Sequence, residues 1–214
     1  LIDRIRNKSN KGFKDYFGGA PANVACALRK QKIESIFIGR LGRDDFGKKF
    51  IKKFNELDVD LDFLQQDNES STRVVNVERD NFGDRFFAGF DTSSYSTFAD
   101  EALSKKLVEK ELPNLEKIFL ETKYLVTGTN VLSSPMSAET ILFLFEQANK
   151  YEIKIIIDLN WRKVFWDNSS FSSEISKKSR VNLIKKFCNQ AHVLKLAKEE
   201  ATLFFKDENP LQIS

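Results

Sequence analysis

Ile153-Lys154-Ile155-Ile156-Ile157-Asp158 is a short apolar run that stops at a carboxylate. Its length suits a strand, and its near-continuous branched side chains suit one buried on both faces, as in a parallel sheet. Working outward, comparable runs occur at Ser35-Ile36-Phe37-Ile38, Tyr124-Leu125-Val126-Thr127 and Val193-Leu194-Lys195-Leu196. Amphipathic stretches alternate with them: Asn23 to Lys30, Phe46 to Leu57, Ala138 to Tyr151, Val181 to Asn189 and Lys198 to Phe205. This alternation predicts an α/β fold with a mainly parallel sheet. Ser137 is placed to cap the helix from Ala138, with Ile141, Leu142, Leu144 and Phe145 on its apolar side. Asp158 then falls at the C-terminal end of a parallel strand, the edge where open α/β sheets bind ligands.

The stretch Thr72 to Phe90 breaks the alternation. Val75 and Val77 are interleaved with Asn76 and Glu78, Asp80-Asn81-Phe82-Gly83 signals a turn, and Arg85-Phe86-Phe87-Ala88-Gly89-Phe90 follows. The pattern predicts a β-hairpin beside the main sheet, either a flap or an ordinary edge hairpin.

Composition narrows the chemistry. The 214 residues are 41% hydrophobic and 30% charged, enough for a sizeable core. Lys+Arg at 34 against Asp+Glu at 31 leaves +3, with the basic residues scattered, so no nucleic-acid partner is expected. Lys48, Lys49, Lys52 and Lys53 read as the wet face of a helix. Two cysteines, Cys26 and Cys188, build no disulfide framework, and the single histidine, His192, makes a Ser-His-Asp triad or a His-rich metal site a poor fit. No apolar run approaches the ~20 residues of a membrane span, and there is no signal-peptide pattern, so no membrane partner and a cytoplasmic location are expected. The chain opens Leu1-Ile2-Asp3, its only methionine is Met136, and it stops at Ser214 just beyond a helical stretch. We therefore expect a fragment of a longer reading frame.

The segment richest in chemistry is Gly18-Gly19-Ala20-Pro21-Ala22-Asn23-Val24-Ala25-Cys26-Ala27-Leu28. Paired glycines let a ligand approach the backbone, and the Asn23 amide suits hydroxyl groups. It is neither a Walker A loop nor G-x-G-x-x-G, and a tight turn packed through small residues reads the same way in isolation. Gly39-Arg40-Leu41-Gly42-Arg43-Asp44-Asp45-Phe46-Gly47 follows beyond a strand.

Together these segments resemble the PfkB (ribokinase-like) carbohydrate kinases, most closely the fructokinase branch. Gly18, Gly19, Asn23, Gly42, Asp44 and Gly47 stand where the first family signature has its glycines, Asn and Asp. The resemblance implies a three-layer ribokinase-like sandwich with a small β lid, lid segments near 4–17 and 71–90, and residues 1–214 as the N-terminal part of one such domain. It implies that Asp3, Gly18, Gly19, Ala20, Asn23, Arg73, Phe87, Gly128, Asp158, Asn160 and Arg162 bind substrate. Asp158-Leu159-Asn160-Trp161-Arg162 is similar to the family's D-x-N-x-R segment. Glu200 matches the glutamate of an N-x-x-E element that helps organise magnesium-bound water and phosphate, but Ala197 stands where the family often has Asn or Ser. ATP and Mg2+ are the implied cofactors, a sugar the implied substrate, and a homodimer through the lid is plausible. The second family signature, a G-A-G-D loop carrying the catalytic base and the phosphate-binding helix start, is expected beyond Ser214, so the chain alone is expected to be inactive.

Bland alternatives stay beside these roles: Asp158 and Asn160 as turn caps, Arg73 and Arg162 as surface charges, Arg85 as a pairing across the hairpin, Phe86, Phe87 and Phe90 as packing, Glu199 and Glu200 as a solvated helix start. A 2-keto-3-deoxygluconate, ribose or nucleoside kinase of the same family, and a non-catalytic scaffold, remain open.

Overall fold

The computed structural model describes residues 1–6, 12–79, 85–91, 97–167 and 177–213. The chain divides into two units, Leu1–Val108 and Glu109–Ser214. Among the described residues no helix is long and apolar enough to cross a membrane.

In the first unit, β1 (Ile2–Arg6) pairs antiparallel with β2 (Phe13–Phe17) and parallel with β5 (Val74–Arg79). The expected hairpin is present, with β5 antiparallel to β6 (Arg85–Phe90). Its turn at Asp80-Gly83 lies outside the described residues. The register slips between Asn76 and Val77 so that Ala88 is extra, and Gly89 adopts φ 147° there. That backbone conformation is open to glycine and suits a bulge. Arg4 Nε donates to Asp15 at 2.8 Å and Nη1 to Asp91 at 2.5 Å, tying β2 and the end of β6 to β1.

Helix α1 (Ala20–Lys30) is followed by β3 (Gly39–Gly42), α2 (Asp45–Asn55) and β4 (Leu64–Asp67), with β3 parallel to β4. The strand expected at Ser35–Ile38 is reduced to a single bridge from Ile36 to Asp60, and the strand proper starts at Gly39. The cause lies in the partner: after Asp60 the chain makes a turn closed by Leu64 N–H to Leu61 O, which interrupts the ladder before β4 begins. On α2, Phe46, Phe50 and Phe54 recur every fourth residue and so share one side. Phe50 and Phe54 are buried with Ile2, Leu41 and Val74, and Phe17 meets Phe50 edge-on at 4.8 Å. Burying each ring contributes about 2–3 kcal/mol. Lys48, Lys49 and Lys52 are exposed as expected, while Lys53 is half-buried.

Gly42, Asp44 and Gly47 form a knot rather than a pocket. Asp44 caps α2, its Oδ1 accepting Gly47 N–H at 2.7 Å, and its Oδ2 accepts Thr72 N–H at 2.6 Å. Thr72 Oγ1 in turn accepts Gly42 N–H at 3.1 Å. A Cβ on Gly47 would lie 1.9 Å from Gly42 O, so the motif's last glycine is a steric requirement of this crossing.

In the second unit, β7 (Tyr124–Gly128), β8 (Lys154–Asp158) and β9 (Val193–Lys195) form a parallel sheet in that order. Ile155 and Ile157 of the central strand are fully buried, as the apolar run predicts. Helix α3 (Lys105–Lys110), which begins in the first unit, and α4 (Leu112–Glu121) were not anticipated, although Pro113 in a first turn followed by Leu115 and Phe119 four apart is a helix signal. Helix α5 (Pro135–Lys150) starts earlier than expected. Pro135 occupies the first position, where no N–H is needed, so Ser137 is a buried first-turn residue and not the cap; Leu142 faces outward. After α6 (Lys163–Asp167), helix α7 (Lys177–Cys188) stacks Phe187 on Phe145 at 4.9 Å. Helices α8 (Lys198–Phe205) and α9 (Pro210–Ile213) complete the unit. His192 closes the start of β9, its N–H donating to Ile155 O at 2.8 Å while its Nδ1 accepts Ile155 N–H at 3.1 Å.

Two outcomes are expected. Gly47→Ala should cost more than about 3 kcal/mol and Asp44→Ala about 2–4 kcal/mol in urea unfolding, because a backbone clash or two orphaned N–H groups result. Burial, reinforced by the Glu200 carboxylate, pushes the Cys188 thiol from 9.0 up to about 12. The folded chain then holds a proton that the unfolded chain releases, so stability is intact below pH 9 and falls as pH rises towards about 12. The urea midpoint of Cys188→Ala should drop less than that of the parent chain between about pH 8 and about pH 10.5.

Candidate functional site

The first cluster is built where β1 passes the glycine pair. Asp3 sits on β1 opposite Tyr16 of β2 and Val75 of β5, so these side chains share a sheet face. Gly18 N–H donates to Leu1 O at 3.0 Å, and a Cβ on Gly18 would stand 2.7 Å from Asp3 Cγ and Oδ2. The carboxylate therefore lies directly against the Gly18 backbone. Gly19 adopts φ 100° as the N-cap of α1, where its missing Cβ avoids strain. Pro21 brings the helix start forward to Ala20, so Asn23 is already in the first turn, with its N–H bonded to Gly19 O at 2.9 Å and its side chain exposed. This corrects the expected start at Asn23. The structure thus brings Asp3, Gly18, Gly19, Ala20 and Asn23 together. A carboxylate beside Cβ-free backbone at a helix start is equipped to accept hydrogen bonds from ligand hydroxyls at close approach.

Phe87 is half-buried on β6 and pairs with Val77, which places it on the Asp3 face by register. Arg73, expected at the substrate, is instead sealed in: its side chain is 1% exposed, with Nε 2.9 Å from Asp100 and Nη2 2.8 Å from Glu101. Its guanidinium carbon lies 4.5 Å from the Phe90 ring centroid and 4.2 Å from that of Phe98. The paired carboxylates raise its pKa against the opposing effect of burial. As placed, it anchors the 3-10 turn Ala99–Glu101 and does not present itself to a ligand.

The second cluster occupies the C-terminal ends of β7, β8 and β9. Gly128 pairs with Asp158, and a Cβ on it would come within 3.1 Å of Asp158 O. Asp158 is also the register partner of Lys195, whose Nζ is 2.7 Å from Asp158 Oδ2. Thr129 Oγ1 donates to Leu159 O at 2.6 Å. Asn160 has φ 42°, a left-handed turn that asparagine tolerates, and sends the chain back over the sheet end. Arg162 Nη1 donates to Trp161 O at 2.9 Å and lies 4.0 Å from Glu200 Oε1. Gly128, Asp158, Asn160, Arg162 and Glu200 are gathered here. Lys195 and Thr129 were missed; the signal for Lys195 was an opposite charge at the matching end of a neighbouring strand.

Glu200, expected to help organise magnesium-bound water, is engaged by backbone donors in this structure. Its Oε1 accepts Trp161 N–H at 2.7 Å and its Oε2 accepts Ala197 N–H at 2.8 Å. The Ala197 methyl offers no ligand atom, and among the described residues no group of three or more His, Cys, Asp or Glu is arranged to hold a metal. Each carboxylate oxygen thus already accepts one backbone N–H.

The architecture, an α/β chain with a parallel sheet and a β lid, is ribokinase-like. A fructokinase from Xylella fastidiosa with bound ATP superposes with a TM-score of 0.79 at 23% identity, over 100% of this chain and 65% of that one. The pfkB family carbohydrate kinase model matches residues 1–212, and the chain belongs to that family. Its curated relatives include an ATP-dependent 6-phosphofructokinase from Thermoanaerobacterium thermosaccharolyticum, 24% identical, matched over 98% of this chain and 60% of the relative. A 5-dehydro-2-deoxygluconokinase from Clostridium botulinum is 29% identical over 78% of this chain and 46% of its own length. The chain thus spans about half to two thirds of the proteins it matches.

The Asp3–Gly18 contact is open to a double-mutant cycle. Gly18→Ala should cost about 1–3 kcal/mol by displacing the carboxylate. Asp3→Ala should relieve that clash, so that the double variant is more stable than the sum of the singles by about 1 kcal/mol.

Proposed function

We propose that this chain is the sugar-holding part of an ATP-dependent carbohydrate kinase whose acceptor is fructose or a closely related sugar. The observation that carries the reading is the Asp3 carboxylate laid against Gly18 at the start of α1. In this reading Asp3 accepts hydrogen bonds from adjacent sugar hydroxyls, and the Asn23 amide adds a donor and an acceptor. Phe87 and the lid strands β1, β2, β5 and β6 cover the sugar and exclude water, which would otherwise take the phosphoryl group. Gly128, Asp158, Asn160, Arg162 and Lys195 line the second rim, where Arg162 and Lys195 supply the positive charge that suits a phosphorylated ligand. ATP, when bound, supplies the phosphoryl group.

The proton acceptor for the sugar hydroxyl and the glycine-rich helix start that steadies the moving phosphoryl group are assigned to residues outside this chain. Phosphoryl transfer depends on positioning and charge stabilisation, so a partial site is not expected to turn over. Exposed Phe13, Tyr16 and Phe17 on β2 support pairing of the lid with a second copy, which sedimentation of the full-length protein decides.

The test is ADP release by the full-length protein with fructose, fructose 6-phosphate and 5-dehydro-2-deoxygluconate as competing acceptors. Fructose should be preferred, Asp3→Ala should lower kcat/KM at least about a hundredfold, and the 214-residue chain alone should release no ADP. Preference for another acceptor overturns the choice of sugar. An unchanged Asp3→Ala enzyme overturns the site, and turnover by the chain alone overturns the division of labour.

A further inference from the structure

We propose that Glu200 is a positioning residue that locks the D-x-N-x-R segment to α8 through two backbone N–H groups, without a cation. The two donors come from distant parts of the chain. Trp161 follows the left-handed turn at Asn160, where the backbone has left β8 and its N–H has no strand partner. Ala197 is the N-cap of α8, where helix geometry leaves N–H groups unpaired. One carboxylate satisfies both, at 2.7 Å and 2.8 Å, with its side chain only 11% exposed. Charge-assisted bonds of this length are roughly twice as strong as neutral ones.

The reciprocal half of a capping box is missing, because the Ala197 methyl cannot accept the Glu200 N–H. Glu200 therefore supplies the side-chain cap at the start of α8, and the bond to Trp161 makes that hold a crosslink between segments. A second contact lies beside it: the Trp161 ring meets Phe204, one helical turn along α8 from Glu200, edge-on at 5.8 Å. Arg162, the next residue, has its guanidinium 4.0 Å from the same carboxylate. What Glu200 fixes is thus the backbone from which Asn160 and Arg162 project at the ends of the parallel strands.

The consequence at the rim rests on the carbohydrate-kinase reading, but the test uses neither sugar nor nucleotide, so the two can fail separately. Amide-resolved hydrogen exchange is measured on the full-length protein without divalent cation, for the parent, Glu200→Gln and Glu200→Ala. Exchange at Trp161 and Ala197 should accelerate at least about tenfold in Glu200→Ala and less in Glu200→Gln, whose one amide oxygen can keep one of the two donors. Adding Ala197→Ser to Glu200→Ala should restore protection within α8 but not at Trp161, which separates a crosslink from a simple helix cap. Added Mg2+ should leave the parent's exchange at both amides unchanged. Unaltered Trp161 exchange in both Glu200 variants would overturn the proposal. So would Mg2+ shifting the parent's Trp161 exchange tenfold, because a cation would then be competing for the same oxygens. If Glu200→Ala does not fold, Glu200→Gln alone decides by the same criterion.

Discussion

One carboxylate organises the first unit. Asp44 divides its oxygens between Gly47 N–H, at the start of α2, and Thr72 N–H, just before β5. The next residue, Arg73, receives Ile2 N–H on its carbonyl at 2.8 Å, which begins the β1–β5 pairing. Asp3 comes one residue later and lands against Gly18. The position of the candidate sugar ligand thus descends, one bond at a time, from a helix cap some forty residues away in sequence. The two glycines around Asp44 are there because side chains would fill the crossing.

Acidic residues divide into two kinds in this molecule. Asp44, Asp67 and Glu200 accept backbone N–H groups and hold segments together; Asp67 takes those of Glu69 and Ser70 while also pairing with Arg40. Asp3 lies along Cβ-free backbone beside a helix start, its carboxylate against Gly18. Arg73 and Arg162 show the same division among cations, the first sealed between two rings and two carboxylates, the second 39% exposed. A motif lists residue types, whereas the partner each atom has found decides what remains for a ligand.

That distinction marks the boundary of what was legible. The α/β alternation, the parallel partners β7, β8 and β9, the β5–β6 hairpin and the whole of α8 could be read from periodicity, because burial of Ile155, Ile157 or Phe204 follows from pattern alone. Helices α1 and α5 start earlier than the expected Asn23 and Ala138 because Pro21 and Pro135 lie in their first turns, where a missing N–H costs nothing. The Ser35–Ile38 run has strand composition, but its ladder is cut by a turn in the partner segment, which composition does not report. Gly18 and Asn23 stand out in the sequence because paired glycines admit close approach, whereas Asp3 is reached only through the family resemblance. Arg73 and Glu200 carry ligand roles through the family resemblance alone, and nothing local announces Asp100, Glu101 or the Trp161 amide, which meet them only in three dimensions.

The lone imidazole has a consequence of another sort. With Nδ1 receiving the Ile155 N–H, the neutral ring of His192 carries its hydrogen on Nε2. A single tautomer, on the only histidine in the sequence, gives one nitrogen resonance pattern that persists only while the two strands remain zipped. The protein contains its own spectroscopic gauge of whether the sheet of its second half is intact.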